Sequence, residues 1–124
     1  MPRTRVVFYR EKDGTVPVLE WMDSLPVNVQ DKLADRITRL RELGHELRRP
    51  ETDFLRDGIY ELRARRRRVN YRILYFFYGR EAAVLGHGIV KEDVVPDADI
   101  DRALERKVRF EKDPAAHTYE VEEP

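Results

Sequence analysis

The chain has 124 residues, 24 basic and 24 acidic side chains, a formal net charge of zero, and no cysteine. That length suits one domain with a single core; disulfides and thiolate metal sites are excluded, and three scattered histidines (His45, His87, His117) are a poor zinc set. No apolar run approaches the ~20 residues that span a bilayer, and the start, Met-Pro-Arg-Thr-Arg, lacks a signal-peptide stretch, so the expectation is a cytoplasmic protein with no metal or small-molecule cofactor.

Residues Arg5 to Tyr9 are β-branched and aromatic and read as a first strand. Asp13-Gly14 makes a turn, after which Thr15 reads as the cap of a brief helix with Pro17 in its first turn. Val18, Met22 and Leu25 form its apolar face, to which Trp21 adds packing rather than a base-stacking platform. Ser24 reads as the cap of a longer helix, where Pro26 is tolerated because its missing amide hydrogen would be unpaired. Val29, Leu33, Ile37, Leu40 and Leu43 follow at the helical period, and Gly44 ends the helix.

Residues 46–51 read as a loop carrying Arg48, Arg49 and Pro50, and Phe54-Leu55 as a very short strand before the Asp57-Gly58 turn. Three strands are predicted at 58–65, 69–78 and 82–90, the last two joined by the hairpin turn Tyr78-Gly79-Arg80-Glu81. A loop with Pro96 then leads to a helix over 97–110, apolar at Ile100, Ala103, Leu104 and Val108. Its acids lie early and its bases late, as the helix dipole favours. Residues 1–112 are assigned to the domain and 113–124 to a frayed, acidic tail. The order β-α-α-β-β-β-α implies an α+β fold with a largely antiparallel sheet of about four strands, a helical hairpin on one face, a C-terminal helix, and an open opposite face for a ligand.

Charge is distributed unevenly. Six of the ten residues from 63 to 72 are arginines, and a local patch attracts phosphates even when the whole molecule is neutral. Strand parity puts Tyr60, Leu62 and Ala64 on one face, with Glu61, Arg63 and Arg65 on the other. Arg72 and Asn70 share parity with Leu74, Phe76 and Tyr78, while His87 shares parity with Lys91. An arginine amid so apolar a strand is costly unless paired or facing a charged ligand. The leading reading is a polyanion site on a sheet, with RNA preferred. The plainer alternatives are an ion pair of Arg63 with Glu61, a solvated turn for Arg65 to Arg68, structural packing of His87 between two glycines, and surface placement of Lys91.

The runs Gly58-Ile59-Tyr60-Glu61-Leu62-Arg63, Tyr71-Arg72-Ile73-Leu74-Tyr75-Phe76 and Ala83-Val84-Leu85-Gly86-His87-Gly88-Ile89-Val90-Lys91 resemble the RelE/HigB toxins of bacterial toxin–antitoxin pairs, in the branch common in phage and mobile elements. The resemblance covers about residues 3 to 110. It implies a RelE-like fold, a protein antitoxin as partner, and metal-independent cleavage of messenger RNA, typically on the ribosome, by 2′-hydroxyl attack on the adjacent phosphate. It places Arg72 on the scissile phosphate with Arg63 beside it, and Lys91 as a further stabiliser or proton carrier. His87, which titrates near neutrality, stands as a general acid or base. Arg65, Arg66, Arg67 and Arg68 would grip RNA backbone, and Tyr71, on the same strand as Arg72, would join them in binding RNA. The sequence departs from the family where Glu92 follows Lys91, where Val94 and Val95 offer no terminal tyrosine, and at Glu61, where some relatives have lysine; Tyr71 and Tyr75 are the phenols available instead. The rival implications are a ParE-type toxin that inhibits DNA gyrase, and a binding module that performs no chemistry.

Overall fold

Runs rich in Val, Ile, Tyr and Phe extend into strands, and the apolar stripes of period 3.6 coil into helices laid across them. The computed structural model describes residues 3–80, 82–91 and 93–121, and of Lys91 the backbone alone. The elements are β1 (Arg5–Tyr9), α1 (Pro17–Asp23), α2 (Val27–Leu43), β2 (Thr52–Arg56), β3 (Ile59–Arg66), β4 (Val69–Tyr78), β5 (Ala82–Lys91), α3 (Asp97–Lys112) and β6 (Thr118–Tyr119). The three predicted long strands agree with β3, β4 and β5 to within one residue at each end.

The strands form one six-stranded sheet in the order β2-β3-β4-β5-β1-β6. All neighbours are antiparallel except β1, which runs parallel to β5. The expectation of about four strands is therefore corrected at both edges. β2 is five residues long rather than two, and the segment expected to fray contributes β6. Asp113 opens a 3-10 turn over Pro114–His117, and His117 is buried with its ring stacked on Tyr9 at 5.1 Å. Its Nδ1 hydrogen-bonds the Arg10 carbonyl at 2.8 Å, and Arg5 grips Glu120 in two directions. Thr118 and Tyr119 form the edge strand of the sheet, and the 3-10 turn over Pro114–His117 leads into it.

Two apolar layers sandwich the sheet. On one side α1 and α2 bury Val18, Val29, Leu33, Ile37 and Leu40 against Val6, Phe8, Leu62, Ile73, Tyr75 and Leu85. Trp21 of α1 packs on this layer, directly over Gly88 of β5: a Cβ there would lie 2.2 Å from the indole. On the other side α3 sets Ile100, Ala103 and Phe110 against Val7, Tyr9, Leu74, Phe76 and Val84. The second face is thus covered over its middle, and not open as expected. Toward the β3–β4 hairpin the cover ends, leaving Arg65 exposed and Asn70 half-buried.

Three local assignments change. Thr15 does not cap α1; its N–H donates to Asp13 Oδ1 in the preceding turn, and Val16 is the cap residue. Ser24 closes α1 instead of opening α2, its hydroxyl donating to the Trp21 carbonyl, while Pro26 precedes α2. On α3, Val108 is half exposed, and the inward position of that turn is taken by Arg106. The reason lies in β5, where the register slips and Gly86 has no partner residue in the β4 pairing. Arg106 donates to the Gly86 carbonyl at 2.6 Å, satisfying a buried acceptor.

Candidate nucleic-acid interface

Register decides what parity left open. Glu61 pairs with Leu74 and Leu74 with His87; Arg63 with Arg72 and Arg72 with Ile89; Arg65 with Asn70 and Asn70 with Lys91. Three rows of three residues therefore lie on the α3 side of β3, β4 and β5. Arg63, Arg72 and the Lys91 backbone, with Glu61 and His87, belong to one surface. The side chain of Lys91 lies outside the described residues.

Arg63 and Arg72 face each other across the β3–β4 ladder, a like-charge pair that is destabilising by itself. Glu61 offsets it. Its Oε1 lies 3.1 Å from Arg63 Nε and 3.7 Å from Arg72 Nε. Arg72 also donates to the Asp93 carbonyl, tying the loop after β5 to the centre of the sheet. The Arg72 and Glu61 side chains are only 7% and 5% exposed, whereas Arg63 is 28% exposed. Burial pushes the Glu61 carboxyl above the usual range, although Arg72 and then Arg63 pull it down. The Nε atoms of both arginines are buried without a well-aligned hydrogen bond, so the triad holds unspent donor capacity.

His87 sits one row away with both ring nitrogens engaged. Nε2 lies 2.8 Å from Asp99 Oδ1, and Arg106 donates to Nδ1 at 3.3 Å. Accepting at Nδ1 fixes the proton on Nε2, which is donated to Asp99. Burial, with help from Arg106, lowers the His87 pKa against the opposing pull of Asp99. His87 therefore clamps the β5 bulge to the first turns of α3.

Tyr71 points the other way from Arg72, half-buried against the α1/α2 layer. Tyr75 is on that same side, fully buried, its hydroxyl 2.6 Å from Thr52 Oγ1 and its pKa pushed up by burial to about 12. Neither phenol shares the surface of the arginines. Of the arginine run, Arg67 and Arg68 form the exposed tip of the β3–β4 hairpin, with Arg67 at φ 58°; Arg65 Nε donates to the Arg67 carbonyl, and Arg66 donates to Asn28 of α2.

Sequence reasoning missed four participants. Glu61 was seen as a neighbour of Arg63 but not as the centre of the triad, because Arg72 reaches it only through the ladder. Arg106 carried no signal apart from its place on the apolar side of α3. Lys32 and Arg36 of α2 were also missed, and they reach the β3 backbone: Lys32 Nζ donates to the Arg65 carbonyl and Arg36 Nε to the Arg63 carbonyl, both at 3.0 Å. Their four-residue spacing beside the apolar stripe was the available signal.

A family model of phage-derived Gp49-like proteins (DUF891) matches residues 20–108, more than two thirds of the chain. The protein belongs to the Gp49-like family. That family is grouped with the toxins of toxin–antitoxin systems. The matched span of this Gp49-like chain runs from α1 to α3 and takes in the triad, the hairpin and the His87 clamp. No curated protein matches the sequence. Among the described residues, no helix is long and apolar enough to cross a membrane.

Proposed function

We propose that this Gp49-like protein is the toxin of a toxin–antitoxin pair, a RelE/HigB-type endoribonuclease acting on messenger RNA, with the ribosome as the expected setting and a protein antitoxin as its silencer. The observation that carries this reading is the cross-strand pair Arg63–Arg72, continued along the same face by Arg65 and by the hairpin arginines. Cations fixed on strands stabilise charge growing on a phosphate without reorganising during the reaction. Arg63, the more exposed of the pair, meets the scissile phosphate; Arg72 holds Glu61 and the Asp93 loop in place behind it. As the RNA 2′-oxygen bonds to phosphorus, the bond to the 5′-oxygen breaks and that oxygen takes a proton from solvent water, giving a 2′,3′-cyclic phosphate and a 5′-hydroxyl. The 2′-hydroxyl proton goes to Glu61, whose raised pKa makes it a better acceptor than an ordinary carboxylate. Arginine, permanently protonated, is a poor base. The assignment of the base thus moves from His87 to Glu61.

A second reading, a toxin that binds its target without cutting, has one observation in its favour: Glu61 already occupies the position between the two guanidinium groups that a phosphate would need. Gyrase inhibition of the ParE type belongs to this class. The test is cleavage of messenger RNA programmed into ribosomes, in the presence of chelator, by wild type and Arg63→Ala. Arg63→Ala is preferred to Arg72→Ala because removing Arg72 would strand a buried carboxylate and confuse folding with catalysis. The expected result is cyclic-phosphate ends from wild type and at least about a hundredfold slower cleavage by the variant. Absence of cleavage by a folded, growth-arresting wild type would reject the nuclease in favour of the second reading.

A further inference from the structure

The edge of β3 changes character half-way along. From Ile59 to Leu62 it is paired with β2, and the Arg63 N–H still reaches the Glu51 carbonyl. Beyond that the chain turns away at Pro50, leaving β3 from Arg63 to Arg66 without a strand neighbour on this side. An unpaired strand edge leaves acceptors to be satisfied. Here a helix supplies the donors. Lys32 donates to the Arg65 carbonyl and Arg36 to the Arg63 carbonyl, while Asn28, one turn earlier on the same stripe, accepts from the Arg66 side chain.

Only one N–H of Arg36 is used in this contact, and the rest of its guanidinium remains to donate. Between α2 and the strand edge lies a cleft of about 310 Å³ lined by Arg36, Pro50, Arg63, Arg65 and Asn70. Three of these residues are arginines, one is an amide, and none is acidic. Lys32 is not among the lining residues, but it stands four residues before Arg36 on α2, about 6 Å along the helix axis, with its Nζ on the carbonyl of Arg65, which does line the cleft. Arg63 and Arg65 are two strand residues apart, ~6.8 Å. Both spacings approximate the distance between successive phosphates of an extended strand. The cleft takes in Arg65 of the β3–β4 hairpin and Arg63, the exposed member of the triad.

We propose that this α2–β3 cleft is a phosphodiester-binding subsite, in which Lys32 and Arg36 hold the RNA single strand next to the phosphate that faces Arg63. The inference builds on the RNA reading above and adds residues from a helix that reading does not use. It accounts for why the cations of α2 are spent on an edge that a short strand would otherwise cover: the donors satisfy the backbone and keep the guanidinium available to an anion.

The test uses a short single-stranded 2′-O-methyl RNA, which has no free 2′-hydroxyl and is not cut by the proposed route. Its affinity is measured by fluorescence anisotropy across a salt series for wild type, Lys32→Gln and Arg36→Gln. Lys32 is exposed, so its variant keeps the fold even if Arg36→Gln proves unstable by circular dichroism. Each substitution is expected to weaken binding several-fold and to reduce the slope of log K against log salt by roughly 0.7, the contribution of one phosphate contact on a single strand. Slopes and affinities equal to wild type in a folded Lys32→Gln overturn the subsite, even where the cleavage assay succeeds. Failure of the nuclease reading takes a different form: no cleavage by wild type, with the salt slope still reduced in Lys32→Gln, leaves the cleft standing as a strand-binding surface.

Discussion

His87 shows how a single side chain can be read as chemistry and built as structure. A histidine between two glycines at the end of an apolar strand fits a proton carrier by residue type alone. What the sequence could not display is that the Gly86 bulge aims it at Asp99 and Arg106 on α3, 12 and 19 positions further along the chain. Its environment makes a testable statement about pH. The folded His87 has a pKa below the ordinary 6.5, chiefly through burial. Below about pH 6.5 the unfolded chain therefore binds more protons than the native one, and stability falls as pH drops toward the lowered native value. Urea denaturation between pH 7.5 and 5 is expected to show this loss, with a flatter profile in His87→Asn than in wild type. Identical profiles in the two proteins would mean that folding does not shift the His87 pKa. Glu61 acts in the opposite sense in its own window: with a raised native pKa, it makes the fold lose stability as pH climbs from about 4.5 through that value.

At the scale of elements, what was legible followed period and what was illegible depended on tertiary partners. α2 declares itself through Val29, Leu33, Ile37 and Leu40, and β4 through a ten-residue run apolar or aromatic except at Asn70 and Arg72. β6 has two residues, Thr118 and Tyr119, and exists only because β1 offers an edge to pair with. The caps failed for a related reason: Ser24 satisfies a carbonyl at the end of α1, and a side chain able to cap forward or backward does not announce which. Gly88 is a case where a glycine marks an approach between elements. Trp21 of α1 occupies the space its Cβ would fill, fixing the hairpin of helices on the sheet. Gly88→Ala must push the indole aside, an overpacking cost of about 1–3 kcal/mol. Trp21 is the sole tryptophan, so its fluorescence reports the shift directly. A lowered midpoint with red-shifted emission is expected; an unchanged spectrum at unchanged stability would mean that α1 is not seated on β5 as described.

For the whole molecule, the sheet order separates two jobs. The β2–β3–β4 side carries the cations and the cleft, while the β5–β1–β6 side closes the fold through a parallel pair and a short final strand. The parity of Arg63 and Arg72 was readable in advance, but their meeting with Glu61, and the arrival of α2 at the same edge, needed register and helix docking, neither of which leaves a local trace. The closing side makes a prediction of its own. His117 stacks on Tyr9 and takes up the Arg10 backbone, β6 covers β1, and Glu120 binds Arg5. A chain ending at Lys112 loses all of these together. The stacked ring and the buried hydrogen bond alone amount to roughly 2 kcal/mol. Their loss also turns β1, with Val6, Val7 and Phe8 behind it, into an uncovered edge that invites pairing with other chains. The truncated protein is expected to melt earlier and to associate with rising concentration in light scattering, while the full chain does not. If it stays monomeric with the stability of the full chain, then the C-terminal segment is dispensable and β5–β1 holds that edge unaided. The arginine surface lies at the opposite end of the sheet order, so the strand affinity proposed for it should survive the truncation per folded molecule, separating damage to the closing edge from damage to the arginine surface.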